Sequence, residues 1–172
     1  MSHPVEEVFV GRRFRVMRHT QRLPDGTTAI RETVQHPGAV AVLPILADGQ
    51  VCLIRNYRIA VNETLLELPA GTLETGEDPA ACAARELVEE TGYRAGKMEK
   101  LTEFFMSPGI LNERMHLFLA TDLTAGPAEL EAGEEIVPAI ATWEEAIEWV
   151  RNGQIRDAKS IAGLLFYDRF GP

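Results

Sequence analysis

Short apolar runs rich in β-forming residues, separated by turn residues, fill the first part of the chain. Residues 14–22 and 27–35 flank Leu23-Pro24-Asp25-Gly26, whose Pro-Asp-Gly chemistry predicts a hairpin. Residues 39–46 and 51–57 flank Asp48-Gly49 and predict a second one. A short strand follows at 65–69. The pattern then changes period, and 79–91 predicts a helix: Asp78 can cap it, Pro79 suits its first position and Gly92 can end it. Strands are predicted at 101–106 and 115–121, joined by the loop 107–114, and a further strand at 136–141. Two helices close the chain. One starts at Thr142, with Glu145 placed for a capping box, and the other covers 158–170. Mixed strands with a few helices give an α+β fold.

At 172 residues the chain is long enough for one domain with a real core, and no repeat or linker divides it. Its 45% apolar and 25% charged content is that of a globular protein. No apolar run is long enough to span a membrane, and the first residues lack a basic stretch followed by an apolar one. The expectation is therefore a cytoplasmic protein, with Cys52 and Cys82 as reduced core thiols. The net charge of −9 argues against nucleic acid or an anionic membrane as partner, since both need a basic footprint. Phosphates remain possible partners if a divalent cation stands between them and clustered carboxylates.

Such a cluster exists on the predicted 79–91 helix. Glu86 and Glu90 are four residues apart, and Glu86 and Glu89 three apart, so all three share a face. Like charges at this spacing destabilise a helix by about 0.2–0.5 kcal/mol per pair. One reading is a solvated acidic face. The other is a site for Mg²⁺ or Mn²⁺, hard cations that take oxygen ligands and bridge to substrate phosphates, as metal-assisted attack of water on phosphorus requires. The preceding segment fits the second reading. Gly71 permits a close backbone approach, and Glu77 is placed to brace Arg85, which can orient the carboxylates.

Residues 71–93, GTLETGEDPAACAARELVEETGY, resemble the Nudix box. Gly71, Glu77, Arg85, Glu86, Leu87, Glu89, Glu90 and Gly92 fall on its fixed positions, and Tyr93 replaces the usual aliphatic residue at the end. The resemblance implies an α/β/α sandwich around a mixed sheet. It also implies two or three divalent ions, with Glu86 and Glu90 as the main ligands, Glu89 assisting and the Ala70 carbonyl as a further ligand. Pro108, sixteen positions after Gly92 in Ser107-Pro108-Gly109, is similar to the ADP-ribose pyrophosphatase subgroup. So are the segments at 31–42, 54–58 and 157–159.

From that resemblance follow an N-terminal antiparallel β extension over about 1–38, a catalytic core over 39–172, and a homodimer whose N-terminal strands help to hold substrate. The implied reaction is hydrolysis of ADP-ribose to AMP and ribose 5-phosphate. Substrate contacts are expected at Arg31, Arg58, Ser107, Pro108, Gly109 and Glu113. The general base is expected at Glu134 in a late acidic loop, with Glu131, Glu135 and the box residue Glu89 as alternatives. Ile110-Leu111-Asn112 departs from the aromatic-small-acid run of that subgroup, which keeps GDP-mannose or another sugar nucleotide open. A non-catalytic nucleotide sensor and an RNA 5′-end hydrolase are further alternatives. The intact box opposes the first and the negative charge the second. His36, His116, Trp143 and Trp149 are read as structural. Phe14, Tyr57 and Arg31 are candidates for an adenine platform.

Overall fold

The computed structural model describes residues 4–130 and 135–171. Ten strands and three helices follow one another: β1 (Val5–Val10), β2 (Arg15–Arg22), β3 (Thr28–Gln35), β4 (Ala39–Pro44), β5 (Val51–Arg58), β6 (Glu63–Glu67), β7 (Ala70–Thr72), α1 (Pro79–Thr91), β8 (Tyr93–Phe105), β9 (Arg114–Ala125), β10 (Ile136–Ala141), α2 (Trp143–Arg151) and α3 (Ala158–Phe170).

The strands form three sheets, ordered β1-β2-β3, β10-β5-β6 and β7-β4-β9-β8. In the last, β4 runs parallel to β9 and antiparallel to β7. This is the mixed sheet of the core, and β4 is buried along its whole length. Its period of two sorts the side chains between two layers. Val40 and Val42 pack with Cys82, Ala83 and Leu87 of α1. Ala39, Ala41 and Leu43 pack instead with Leu53, Ala146 and Leu164, on the side of β5, α2 and α3. Helices thus cover both faces, as expected of an α/β/α sandwich.

The expected hairpin between residues 39–46 and 51–57 does not form. The Asp48-Gly49 turn is made, with Leu46 N–H donating to the Gln50 carbonyl at 2.8 Å and Gly49 at φ 82°. Beyond the single bridge between Ile45 and Val51, however, the strands enter different sheets. Both edges of β4 are taken by β7 and β9, while β5 pairs with β6 and β10. β4 and the apolar first half of β5 are buried, and each strand gains more by sitting at the centre of a sheet than by pairing with the other.

The first hairpin does form, with β2 and β3 paired from Arg15–Gln35 to Arg22–Thr28. A further strand, β1, adds to it and completes the N-terminal antiparallel sheet. Strands β8 and β9 are longer than expected and pair nearly end to end, with one register shift between Lys100 and Thr102. Helix α1 has the expected ends. Asp78 accepts from Ala80 and Ala81 N–H at 3.0 and 3.1 Å, and Gly92 closes it at φ 76°. Thr142 and Glu145 form the capping box of α2. Among the described residues no helix is long and apolar enough to cross a membrane.

Candidate active site

β7 lies at the edge of the mixed sheet, with Gly71 opposite Val40. Helix α1 packs against β4, β7 and β8 through its apolar side, which is what carries its carboxylates to the β7 backbone. A β-carbon built on Gly71 would stand 1.8 Å from the Glu86 carboxyl carbon. Glycine is what lets that carboxylate lie over the strand. One turn later Glu90 is 3% exposed, and its Oε2 accepts from Ala70 N–H at 2.8 Å. A carboxylate so buried needs bonded partners to offset lost hydration.

Arg85 ties the remaining acids together. Its Nε donates to Glu77 Oε1 at 3.0 Å, and its Nη1 donates to Glu86 Oε1 and Glu89 Oε2, both at 2.8 Å. The Arg85 hydrogen bond holds the Glu77 carboxyl below the usual carboxylate range, and the Glu77 hydrogen bond in turn raises the Arg85 pKa. One cation shared by Glu77, Glu86 and Glu89 relieves part of the like-charge repulsion on this helix face.

The donor chemistry suits a hard divalent cation. Glu86 and Glu90 bring carboxylate oxygens to the Ala70–Gly71 backbone, and the absent β-carbon of Gly71 leaves room for that of Glu86. Among the described residues no three His, Cys, Asp or Glu side chains form a set able to hold an ion by themselves. The fit is therefore to a cation that shares its sphere with water and substrate oxygens, as Mg²⁺ commonly does.

A cleft of about 280 Å³ opens beside this backbone, lined in part by Ala70, Gly71 and Thr72. Its charged lining is Arg58, Glu67, Glu113, Asp157 and Lys159. The expected substrate residues divide between cleft and surface. Arg58 and Glu113 line the cleft; Arg31 on β3 and Ser107, Pro108 and Gly109 after β8 are exposed and do not. Glu134 and its alternative Glu131 lie outside the described residues, while Glu135 is exposed just before β10.

Asp157 and Lys159 come from the subgroup-like segment 157–159, to which the sequence analysis assigns no site role, and Glu67 is not singled out there at all. Arg58 donates to both oxygens of Glu67, from Nε at 2.9 Å and from Nη2 at 2.7 Å, and Lys159 Nζ also bonds Glu67. Burial alone would raise the Glu67 pKa, but these two cations outweigh it and hold the carboxyl below its ordinary value. A readable signal existed: a glutamate inside the apolar run Leu65-Leu66-Glu67-Leu68.

Trp143 and Trp149 pack against the apolar core. Trp143 meets Tyr167 edge-on, with centroids 5.2 Å apart, and its Nε1–H donates to Asp168. Burial lowers the pKa of His116. Cys52 and Cys82 are free and buried, and burial pushes both thiols up to about 12.

A family model described as the NUDIX domain matches residues 35–164. The chain belongs to the Nudix family. Nudix hydrolases generally need divalent metal ions, in keeping with the oxygen donors above. An ADP-ribose pyrophosphatase of Bacillus subtilis (strain 168) is 40% identical over 163 residues, covering 94% of this chain and 88% of the relative. A methanol dehydrogenase activator of Bacillus methanolicus is 37% identical over the same length and shares of each chain. A GDP-mannose pyrophosphatase of Cronobacter sakazakii is 39% identical over 133 residues, covering 72% of this chain and 69% of the relative. A solved structure of an ADP compounds hydrolase superposes with TM-score 0.86 at 23% identity, over 98% of this Nudix chain and 92% of that one. At that identity the likeness speaks for the fold.

Proposed function

We infer that the chain is a divalent-metal-dependent pyrophosphohydrolase of a nucleoside diphosphate sugar, with ADP-ribose, cleaved to AMP and ribose 5-phosphate, as the first substrate. The observation that carries this reading is the seat that Gly71 leaves for Glu86 beside buried Glu90. The name of the Bacillus subtilis relative supports the substrate. The GDP-mannose pyrophosphatase at similar identity supports a second reading, the same chemistry on another sugar nucleotide. One relative is named as an activator of another enzyme, which keeps a regulatory, non-catalytic role as the contrasting class. The intact network of Arg85 with Glu77, Glu86 and Glu89 favours chemistry over that role.

In this reading Glu86, Glu90 and the Ala70 carbonyl hold Mg²⁺ or Mn²⁺, two or three ions in all, with Glu89 assisting. When bound, such ions neutralise charge on the pyrophosphate and make water a better nucleophile. The protein supplies the rest. Arg85, fixed by Glu77, keeps Glu86 and Glu89 in place. Arg58 presents a planar fork to phosphate oxygens. The proton of the attacking water passes to Glu134 or to Glu89. Glu113 and the Ser107-Pro108-Gly109 loop orient substrate.

Arg31 acts in a homodimer, across which the N-terminal sheet of one subunit reaches the other's cleft. Its exposed Val8, Phe9, Val10 and Ile30 suit that contact. The division into an extension over about 1–38 and a core over 39–172 follows from the same picture, and the compartment is cytoplasmic.

The test is Glu90→Gln. The variant is expected to keep its circular dichroism and melting temperature while losing more than about a hundredfold in turnover, since changes to residues behind metal ligands already cost 10–100-fold. Retained turnover would remove Glu90 from the metal site. A panel of ADP-ribose, GDP-mannose and ADP-glucose then separates the substrate readings by kcat/KM.

A further inference from the structure

Glu113 lines the cleft just before β9, and its carboxylate stands beside a residue that the sequence reads as structural. Among the described residues its only basic partner is the His36 ring, with Nδ1 3.7 Å from Oε1. Both side chains are largely buried, His36 at 15% and Glu113 at 19% exposed. That distance is beyond hydrogen-bond reach. The ring is itself held, since Nδ1 accepts from Gly38 N–H at 3.2 Å. In that form the ring proton sits on Nε2, and Nδ1 has nothing to donate to Glu113. The ring thus confines the carboxylate without taking up either of its oxygens.

The residue before Glu113 is held by His36 as well. His36 N–H donates to Asn112 Oδ1 at 2.7 Å, and the Glu113 carbonyl accepts from Met106 N–H at 3.2 Å. Val34 and Leu111, two positions before His36 and Glu113, form a parallel bridge. One residue therefore fixes Asn112 through its backbone and Glu113 through its ring. The turn alone asks for less. Gly38 stands at φ 108°, and its N–H needs only an acceptor two residues back, which a serine or asparagine side chain also supplies. A ring set against a cleft carboxylate has a second use, limiting the rotamers of that carboxylate before a ligand arrives.

We propose that His36 is a positioning residue, which aims the Glu113 carboxylate into the cleft through a ring contact anchored on Gly38 N–H. The inference rests on the reading in which Glu113 orients substrate, and it adds the group that holds Glu113 in place.

A double-mutant cycle tests it. Values of kcat and KM for ADP-ribose in Mg²⁺ buffer are measured for the wild type, His36→Ala, Glu113→Gln and the double variant, with thermal melting alongside. His36→Ala is expected to lower kcat/KM about tenfold in the wild type and less than about twofold where Glu113 is already changed, a coupling within the range found for residues in contact. His36→Asn is expected to recover most of the loss, because its amide reaches as far as Nδ1 and can hold the Gly38 N–H. A merely structural role would lower the melting temperature and cost the same factor in turnover in both backgrounds, and that additivity would overturn the proposal. So would normal turnover by Glu113→Gln, which leaves nothing for His36 to position. If His36→Ala does not fold, His36→Ser carries the cycle: its hydroxyl takes the Gly38 N–H but is too short to reach Glu113. If the wild type turns over no sugar nucleotide, the functional reading has failed instead. Calorimetric titration with ADP-ribose and Mg²⁺ then runs the same cycle on Kd: coupling between the two residues supports the positioning, and additivity, or no binding by the wild type, overturns it.

Discussion

At Gly71 the atom that matters is one the residue does not have. The nearest obstacle to a β-carbon there is the carboxyl end of Glu86, at 1.8 Å, and the end of a flexible side chain can swing away at little cost. Gly71→Ala is therefore expected to leave stability almost unchanged and to displace Glu86 from the strand. A misplacement of about an ångström at a catalytic group can cost about a hundredfold in rate. Thermal melting together with steady-state turnover checks this: a stable, inactive variant is predicted, and a stable variant with normal turnover would show that the seat of Glu86 is unimportant. At this scale the sequence was highly legible for the acids of α1, because helical spacing alone places Glu86, Glu89 and Glu90 together. It was much less so for Glu67, Asp157 and Lys159. Lys159 and Glu67 are 92 positions apart in the chain, and no local pattern announces that they will meet.

Among the elements, the loop between β8 and β9 is stitched to the N-terminal sheet. Val34 N–H donates to the Ile110 carbonyl at 2.7 Å, and Asn112 N–H donates to the Val34 carbonyl at 3.2 Å. The Asn112 side chain accepts from His36 N–H at 2.7 Å, beside a His36 ring that lies 3.7 Å from Glu113 in the cleft wall. The residues 110–112 that depart from the ADP-ribose subgroup's run thus fasten a cleft loop to β3. Asn112→Ala removes one acceptor from this seam, a loss of about 1 kcal/mol. Hydrogen exchange should report several-fold faster exchange at the His36 amide, with the buried amides of β4 unaffected. Uniform acceleration across the protein would mean that the seam is only part of global stability. Local chemistry predicted the helix ends and the first hairpin because caps and turns are short-range. The pairing of β4 was not legible, since both β4 and β5 read as buried strands and only the return of β7 and β9 decides their neighbours.

For the whole molecule, the sheet with helices on both faces holds the β7 edge and the α3 cap around one cleft, and seats the α1 acids against the β7 backbone beside it. An acidic protein of net charge −9 can meet a pyrophosphate there by way of divalent cations and a small set of fixed basic groups. The fold class was readable from the order of strands and helices, while the N-terminal sheet was foreseen as a hairpin and an extension without its first strand, β1. The central claim is that the cluster on α1 works metal-assisted pyrophosphate chemistry. Its most direct test is to incubate the purified protein with ADP-ribose, with and without Mg²⁺, and to follow AMP by chromatography. The account predicts AMP and ribose 5-phosphate in equal amounts, formed only with the metal and lost on chelation. No turnover of ADP-ribose or any other sugar nucleotide by the folded protein, with Mg²⁺ or Mn²⁺ supplied, would contradict it.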